Sequence, residues 1–181
     1  DHMLTIAFLR YAQMFIWQFL SRYNPVSGRT RIQKKNIEFE QLDREEHWDD
    51  YILLQALLIS VLYRFLPGFR EMPVFDWRGM VAMLLVHMGP IEFVYYWFHR
   101  ALHHDFLWQQ YHSHHHSSFV TEPISGTVHP FLENFAYTAI FSASVLIPYL
   151  MGLHCLACFY TYGLAFDFMN ALGHCNFEFL P

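Results

Sequence analysis

Residues 134–166 read NFAYTAIFSASVLIPYLMGLHCLACFYTYGLAF and contain no Asp, Glu, Lys or Arg. A single helix of this length would extend about 50 Å, well past the roughly 30 Å of a bilayer's hydrocarbon core. Pro148 and Gly152 lie near the middle of the run, which favours two helices, 131–150 and 156–172, turning at Met151-Gly152-Leu153. The stretch therefore predicts a hairpin of two membrane-spanning helices.

Three further apolar stretches extend this prediction. Residues 79–98 form a third span, in which Gly89 and Pro90 predict a kink. Residues 51–66 are short for a full crossing, and residues 3–20 contain an arginine and two glutamines. Each of these two segments is therefore compatible with a re-entrant or interfacial helix. We expect an all-α fold, a polytopic membrane helical bundle.

The composition agrees with a membrane protein. The 181 residues are 54% apolar and 19% aromatic but only 15% charged, whereas soluble domains are about a quarter charged. The net charge of −5 and the lack of a wide Lys/Arg block argue against a nucleic-acid partner. The three cysteines are an odd number in apolar surroundings, so no disulfide framework is expected.

Loop charge predicts the orientation of the bundle. Residues 21–50 contain six of the eleven Lys and Arg residues, which places this loop in the cytosol by the positive-inside rule. Alternation of the spans from there puts residues 99–116 and His174 on the cytosolic side as well. We divide the chain into an N-terminal apolar segment with its basic loop, residues 1–50, and a membrane domain, residues 51–181.

The most unusual feature of the composition is its 13 histidines, seven of which lie between residues 99 and 116. His99 and His103 are four residues apart, so on a helix they share one face. The same three- and four-residue spacing recurs among the histidines at positions 112, 115 and 116. Helices present imidazoles to a shared metal at these spacings. Because a structural zinc site needs only four ligands, six or more convergent histidines indicate two metal ions.

Two other interpretations of the cluster are weaker. A metal-free interfacial cluster is disfavoured because amphipathic helices at membrane surfaces use Lys and Arg for that purpose. A zinc hydrolase is disfavoured because no Glu lies between the paired histidines as a general base. Six histidines receive no role, because they lie off the shared helical faces or lack a partner at helical spacing. They are His2, His47, His87, His104, His114 and His154.

The histidine pattern resembles that of a known superfamily. HRALH at 99–103 and HSHHH at 112–116 are similar to the first two histidine boxes, HxxxH and HxxHH, of the membrane fatty acid hydroxylase and sterol desaturase superfamily. Further segments are similar to the plant very-long-chain aldehyde decarbonylases of the eceriferum and glossy wax-biosynthesis group, namely YYWFH at 95–99, YHSHHHSSFVTEP at 111–123, VHP at 128–130 and DFMNALGHCNFEFLP at 167–181. The resemblance covers essentially the whole chain.

The resemblance implies a set of metal ligands. The matching positions are His99, His103, His112, His115, His116 and His174. His129 also matches the family pattern in position, either as a ligand or in a supporting role. The family's third HxxHH box would follow shortly after His174 and is not present in these residues, so we expect the chain to be a fragment of a longer protein.

Helical phase suggests residues that support the ligands. Asp167 and Asn170 share a helical face with His174, and Glu92 lies seven residues before His99. Intramembrane carboxylates are functional candidates, and metal-bound imidazoles donate their second N–H to a carboxylate or carbonyl. Since seven residues span about 10 Å, Asp167 and Glu92 would orient histidines on other helices. An interhelical hydrogen bond without catalytic effect is an equal alternative.

The resemblance also implies an activity. It predicts a di-iron, O₂-dependent oxidoreductase that converts very-long-chain aldehydes to alkanes one carbon shorter, with electrons from a cytochrome b5-type donor. The expected location is the endoplasmic reticulum membrane, with the histidine site facing the cytosol. Two alternatives stay open: a fatty acid or sterol methyl hydroxylase of the same superfamily, and a non-catalytic partner of a homologous subunit if the chain naturally ends near Pro181.

Overall fold

The computed structural model describes residues 2–23, 30–66 and 68–178 of the chain. Within these ranges the regular structure is helical, apart from an isolated bridge between Arg31 and Phe177. The all-α prediction is therefore confirmed for the described residues. The helices of six or more residues are α1 (His2–Arg22), α2 (Phe39–Arg44), α3 (Asp50–Phe65), α4 (Trp77–Val86), α5 (Glu92–Leu102), α6 (Phe131–Leu150) and α7 (Leu156–His174).

Three helical stretches in the described ranges are long and apolar enough to cross a membrane: His2–Arg22, Trp77–Leu102 and Phe131–Leu150. The spans predicted at 79–98 and 131–150 are thus confirmed by length and composition, and α1 qualifies as well. Helix α7 forms as predicted, but it is not one of the three, so a full span at 156–172 stays a prediction. Its second half carries Asp167, Asn170 and His174.

The turn between α6 and α7 lies where the sequence predicts it. Gly152 has a positive φ of 73°, a conformation that side chains with a Cβ rarely adopt. The amide of Leu153 donates to the carbonyl of Pro148 at 2.9 Å, and the amide of Gly152 donates to Tyr149 at 3.0 Å. These bonds satisfy the last carbonyls of α6, so a tight turn joins the two helices.

A π turn at His87–Ile91 joins α4 to α5 and contains Pro90. Proline has no amide proton and clashes with the preceding turn of a regular helix, so the hydrogen-bond pattern must change there. The helix widens for one turn and then continues, and the stretch from Trp77 to Leu102 stays one span. The kink predicted at Gly89 and Pro90 is therefore realised as an inserted residue in the helix.

A buried ion pair connects α1 with α7. Arg10 donates from Nε to Asp167 Oδ2 at 2.6 Å and from Nη2 to Oδ1 at 2.8 Å. The hydroxyl of Tyr51 donates to the same carboxylate at 2.9 Å, and Gln55 accepts from Nη1 of Arg10 at 2.5 Å. Of our two interpretations of Asp167, the interhelical hydrogen bond is the one observed, and the orientation of a histidine is not. A buried guanidinium needs a counter-charge, and Asp167 supplies it.

Two buried carboxylates fix the loop that precedes α6. Glu45 accepts hydrogen bonds from the hydroxyls of Ser118 at 2.6 Å and Ser125 at 2.5 Å. Glu122 accepts from Nε of Arg22 at 2.9 Å and from Nη2 at 2.7 Å. The loop is thus held against the N-terminal part of the chain. The division of the chain at residue 50 stays a prediction.

Candidate metal centre

Four histidines converge through their Nε2 atoms. The distances are 3.2 Å between His99 and His103, 3.2 Å between His112 and His99, and 3.1 Å between His116 and His112. All four candidate ligand atoms lie within 4.8 Å of one another. Nitrogen atoms that bind one ion at about 2.1 Å in tetrahedral geometry lie roughly 3.4 Å apart. The observed spacing therefore fits a single metal ion.

The two histidine pairs keep their four-residue spacing on different local structures. His99 lies in α5 and His103 directly follows its last residue. His112 ends a second π turn, Trp108–His112, and His116 lies in a 3₁₀ turn, His115–Ser117. We predicted a regular helix for this second segment. The π turn and the 3₁₀ turn replace it, yet the Nε2 atoms of the second pair still meet.

Contacts on the far side of two rings orient their Nε2 atoms toward the metal position. Nδ1 of His112 donates to Oε1 of Glu133 at 2.6 Å, and Nδ1 of His99 lies 3.1 Å from the hydroxyl oxygen of Tyr95. When Nδ1 carries the proton, Nε2 keeps its lone pair for a metal ion. The donor set thus fits a transition metal.

The other two predicted ligands lie in a second group. Nδ1 of His115 donates to the carbonyl of Val128 at 3.1 Å, and Nδ1 of His174 donates to the carbonyl of Asn170 at 2.9 Å. Both rings therefore also keep Nε2 available. The ring of His129 stacks on His115 at a centroid distance of 4.2 Å, and His174 lies 5.8 Å from His115. The six predicted ligands are divided between two adjacent groups.

Burial keeps several of these rings neutral. It lowers the pKa of His112 to about 3 and that of His115 to about 4, and neighbouring histidines add to both shifts. The pKa of His129 lies well below its usual value for the same reasons. A neutral imidazole is the form that binds a metal ion. At neutral pH these side chains are therefore ready to bind without releasing a proton.

Gly126 makes room for His174. A Cβ atom at position 126 would lie 2.5 Å from Nδ1 of His174 and 2.7 Å from its Cγ, which is too close for any side chain. The side chain of Asn170 donates to the carbonyl of Gly126 at 3.1 Å and holds the loop against α7. Asn170 thus supports His174 with its own carbonyl and supports Gly126 with its amide.

Two other residues, Glu92 and His129, were predicted to support the ligands. Oε1 of Glu92 lies 3.4 Å from Nε2 of His87, so Glu92 faces a histidine to which we gave no role rather than a predicted ligand. We expected Glu92 to orient a ligand on another helix, whereas its partner lies across the π turn His87–Ile91 of its own helical stretch. Nε2 of His129 lies 3.9 Å from Glu133, which places His129 beside the centre.

Three residues at the site have no counterpart in our sequence analysis. Glu133 contacts His112, Gly126 contacts His174, and the ring of Trp108 lies 5.1 Å from those of His103 and His116. Glu133 had a detectable signal, since it is the acidic residue that starts an otherwise uncharged helix. The other two depend on contacts between segments and have no such signal.

An elongated cavity begins at the histidines. It has a volume of about 620 Å³ and lies between α4–α5, α6 and α7. His99, His115 and His174 lie at one end, Met80 and Met83 lie at the other, and Phe141 and Phe166 are among the residues between them. Met80 and His99 are separated along the helix by about 28 Å. The cavity therefore suits a long alkyl chain whose polar end reaches the histidines.

Comparison with known proteins identifies the family that the chain matches. A sequence profile of the fatty acid hydroxylase family matches residues 84–181. The chain is 48% identical over 179 residues to very-long-chain aldehyde decarbonylase GL1-7 of Oryza sativa subsp. japonica, covering 99% of this chain and 28% of that protein. No solved structure matches the chain.

Two relatives from Arabidopsis thaliana give the same result. Identity is 44% over 178 residues to protein CER1-like 2, covering 98% of this chain and 29% of the relative. Identity is 46% over 166 residues to very-long-chain aldehyde decarbonylase CER1, covering 92% and 27% respectively. The chain therefore spans less than a third of the length of the relatives that it matches.

Proposed function

The chain belongs to the fatty acid hydroxylase family, and on that premise we propose that it forms the metal-binding membrane part of a lipid-biosynthesis oxidoreductase. The proposed reaction converts a very-long-chain aldehyde to an alkane one carbon shorter by oxidative deformylation. One observation carries this proposal, namely the four convergent Nε2 atoms at the end of a long apolar cavity. The names of the relatives support the choice of an aldehyde.

The proposed cofactor is a pair of iron ions. His99, His103, His112 and His116 would hold one ion, and the second group, with His115, His129 and His174, would contribute to the other. Imidazole nitrogen suits iron among the transition metals. When bound, iron supplies the capacity to bind and reduce O₂, with electrons from a cytochrome b5-type donor. The protein supplies orientation and exclusion of water.

The residues around the centre have defined tasks in this proposal. The carboxylate of Glu133 and the carbonyl of Val128 hold His112 and His115 with Nε2 toward the metal positions. The ring of Trp108 covers two of the histidines. Phe141 and Phe166 in the cavity wall keep the alkyl chain in apolar surroundings. The aldehyde group would thereby lie next to the positions of the metal ions.

For the membrane arrangement we propose a multi-pass protein of the endoplasmic reticulum with the histidines facing the cytosol. The amides of Leu156 and Ala157 donate to the carbonyls of Pro73 and Val74 at 2.9 and 3.0 Å, so the loop before α4 and the α6–α7 turn share one end of the bundle. A glycosylation tag inserted after Gly152 should be modified, whereas the same tag beside His114 should not. The reverse pattern would overturn the orientation.

Product analysis tests the proposed reaction. The intact protein, purified with an electron donor, is supplied with iron, O₂ and a long-chain aldehyde, and the iron content is measured in parallel. We expect an alkane one carbon shorter than the substrate, together with formate. A hydroxylated lipid without alkane would instead support the hydroxylase alternative. Product that forms only with a homologous subunit carrying its own complete histidine boxes would support the non-catalytic alternative.

A further inference from the structure

A second polar group lies in the wall of the same cavity, away from the metal centre. Nε2 of His87 lies 3.4 Å from Oε1 of Glu92, and Nδ1 of His87 lies 3.1 Å from the hydroxyl of Tyr162. That hydroxyl donates to Oγ of Ser144 at 2.9 Å. The four side chains come from the π turn, α5, α7 and α6, and they lie within the apolar part of the bundle. Ionisable groups at such depth mark functional sites.

The π turn creates the contact between His87 and Glu92. In a regular α-helix, residues five apart point in directions that differ by about 140°. The wider turn at His87–Ile91 removes this difference and brings the two side chains to the same side. π turns are less favourable than α-helix and are concentrated at functional sites. The pairing is therefore a specific product of the local backbone.

Both ring nitrogens of His87 face oxygen atoms. Nδ1 lies 3.1 Å from the hydroxyl oxygen of Tyr162 and 3.5 Å from that of Ser144, while Nε2 faces Glu92. A carboxylate has two oxygens with about four lone-pair sites between them. One contact with His87 therefore leaves Glu92 able to accept a further hydrogen bond.

This pair is accessible from the cavity. Both residues line it, and the side chain of Glu92 is 50% exposed. The neighbouring wall residues Met83, Phe141 and Phe166 are apolar. In a cavity of this kind, a small number of polar groups fixes the orientation of a ligand and determines which ligand is accepted. An unsubstituted alkyl chain at this depth would offer no hydrogen bond to the remaining lone pairs of Glu92.

We propose that the His87–Glu92 pair binds a hydroxyl group within the chain of a lipid, at a fixed distance from the reacting end. Along the helix axis, Glu92 and His87 lie about 10 and 18 Å from His99. The lipids that bind best are accordingly those with a hydroxyl substituent between these depths. The inference rests on the proposed function in one respect, since it assumes that the cavity holds a lipid with its head at the histidines.

Competition binding tests this inference without requiring turnover. The intact protein in nanodiscs is loaded with a radiolabelled, saturated very-long-chain primary alcohol. Unlabelled isomers carrying one additional hydroxyl, moved carbon by carbon along the chain, then compete with it. We expect isomers with the hydroxyl in one narrow range to compete roughly five- to tenfold better than the unsubstituted alcohol, as one buried hydrogen bond allows. Equal competition by all isomers would overturn the inference.

Substitutions at His87 and Glu92 test whether these residues cause the preference for one hydroxylated isomer. Glu92→Leu should reduce the affinity ratio between the best isomer and the unsubstituted alcohol to about one, and Glu92→Gln should restore part of it. Glu46→Leu, which removes a carboxylate that is 63% exposed on a distant segment, should leave the ratio unchanged. Iron content reports folding of each variant, and His87→Leu provides a second test of the same contact. A ratio that persists in both Glu92→Leu and His87→Leu would assign the preference to other residues.

The same measurements separate this inference from the proposed function. If the labelled alcohol does not bind at all, the cavity does not hold a lipid and both proposals fail. If it binds and the aldehyde is converted to alkane, but no isomer competes better, the proposed function stands and only the inference about hydroxylated lipids fails.

Discussion

Oε1 of Glu133 and Nδ1 of His112 lie 2.6 Å apart, and both side chains are fully buried. Glu133 is the third residue of α6, while His112 ends a π turn that precedes α6 by almost twenty residues. The contact therefore joins a helix that is long and apolar enough to cross a membrane directly to the centre of the histidine cluster. It also directs Nε2 of His112 toward the three other convergent nitrogens.

Replacing Glu133 by Gln should weaken iron binding. The amide keeps the shape of the carboxylate but removes the charge that holds Nδ1–H of His112, and loss of such a partner costs roughly 10- to 100-fold in metal affinity. Iron per chain, measured by elemental analysis against increasing chelator, checks this. Glu46→Gln changes an exposed carboxylate and serves as the control. Equal iron retention in both variants would contradict the assigned role.

Substitution of two neighbouring histidines, His114 and His116, should have different effects on iron content. His116 contributes Nε2 to the cluster, whereas His114 is exposed and outside it. We expect His116→Ala to lower the iron content and His114→Ala to leave it unchanged, because only the first removes a ligand atom. Spectroscopy of the iron-loaded variants gives a second measurement. A similar loss in both would mean that the exposed ring also binds the ion.

A methyl group at position 126 should displace His174. Gly126→Ala places a Cβ atom within 2.5 Å of the ring, so the ring must move and break its bond to Asn170. Gly173→Ala is a matched control, since a Cβ there meets nothing within 4 Å. We expect Gly126→Ala to bind less iron while Gly173→Ala binds the normal amount. Normal iron content in Gly126→Ala would show that His174 is not needed for metal binding.

The Arg10–Asp167 pair should stabilise the bundle without taking part in the chemistry. Asp167→Leu leaves a buried guanidinium without its counter-charge and should cost about 3–5 kcal/mol, whereas Arg10→Leu/Asp167→Leu should recover much of that loss. Unfolding in detergent, followed by helical circular dichroism, measures both. Iron content at a temperature where Asp167→Leu is folded should stay normal. A loss of iron in the folded single variant would restore the histidine-orienting role.

The sequence predicts those features that depend on neighbours along the chain. The uncharged run at 134–166 and its central Gly152 predict the hairpin, and the structure has α6, the turn and α7 at those positions. The four-residue spacings of His99 and His103 bring their Nε2 atoms within 3.2 Å. Helical geometry relates such residues directly, so no information about the rest of the fold is needed.

Features that depend on packing between distant segments were not accessible in this way. Asp167 shares a helical face with His174, yet its partner is Arg10, 157 residues earlier in the chain. Helical phase indicates the direction of a side chain but not what lies opposite. The division of the ligands has the same origin, because the loop before α6 brings the carbonyl of Val128 to Nδ1 of His115.

The placement of Gly126 against His174 has a consequence for biosynthesis. His174 belongs to the last described helix, and it reaches the ring of His115 only after α6, the turn and α7 have formed. The loop that receives it is synthesised before these elements. A nascent chain arrested before α7 would contain the first four histidines together with His115 and His129, but not His174. In the proposed site, the second group of histidines would therefore be complete only after α7 has folded.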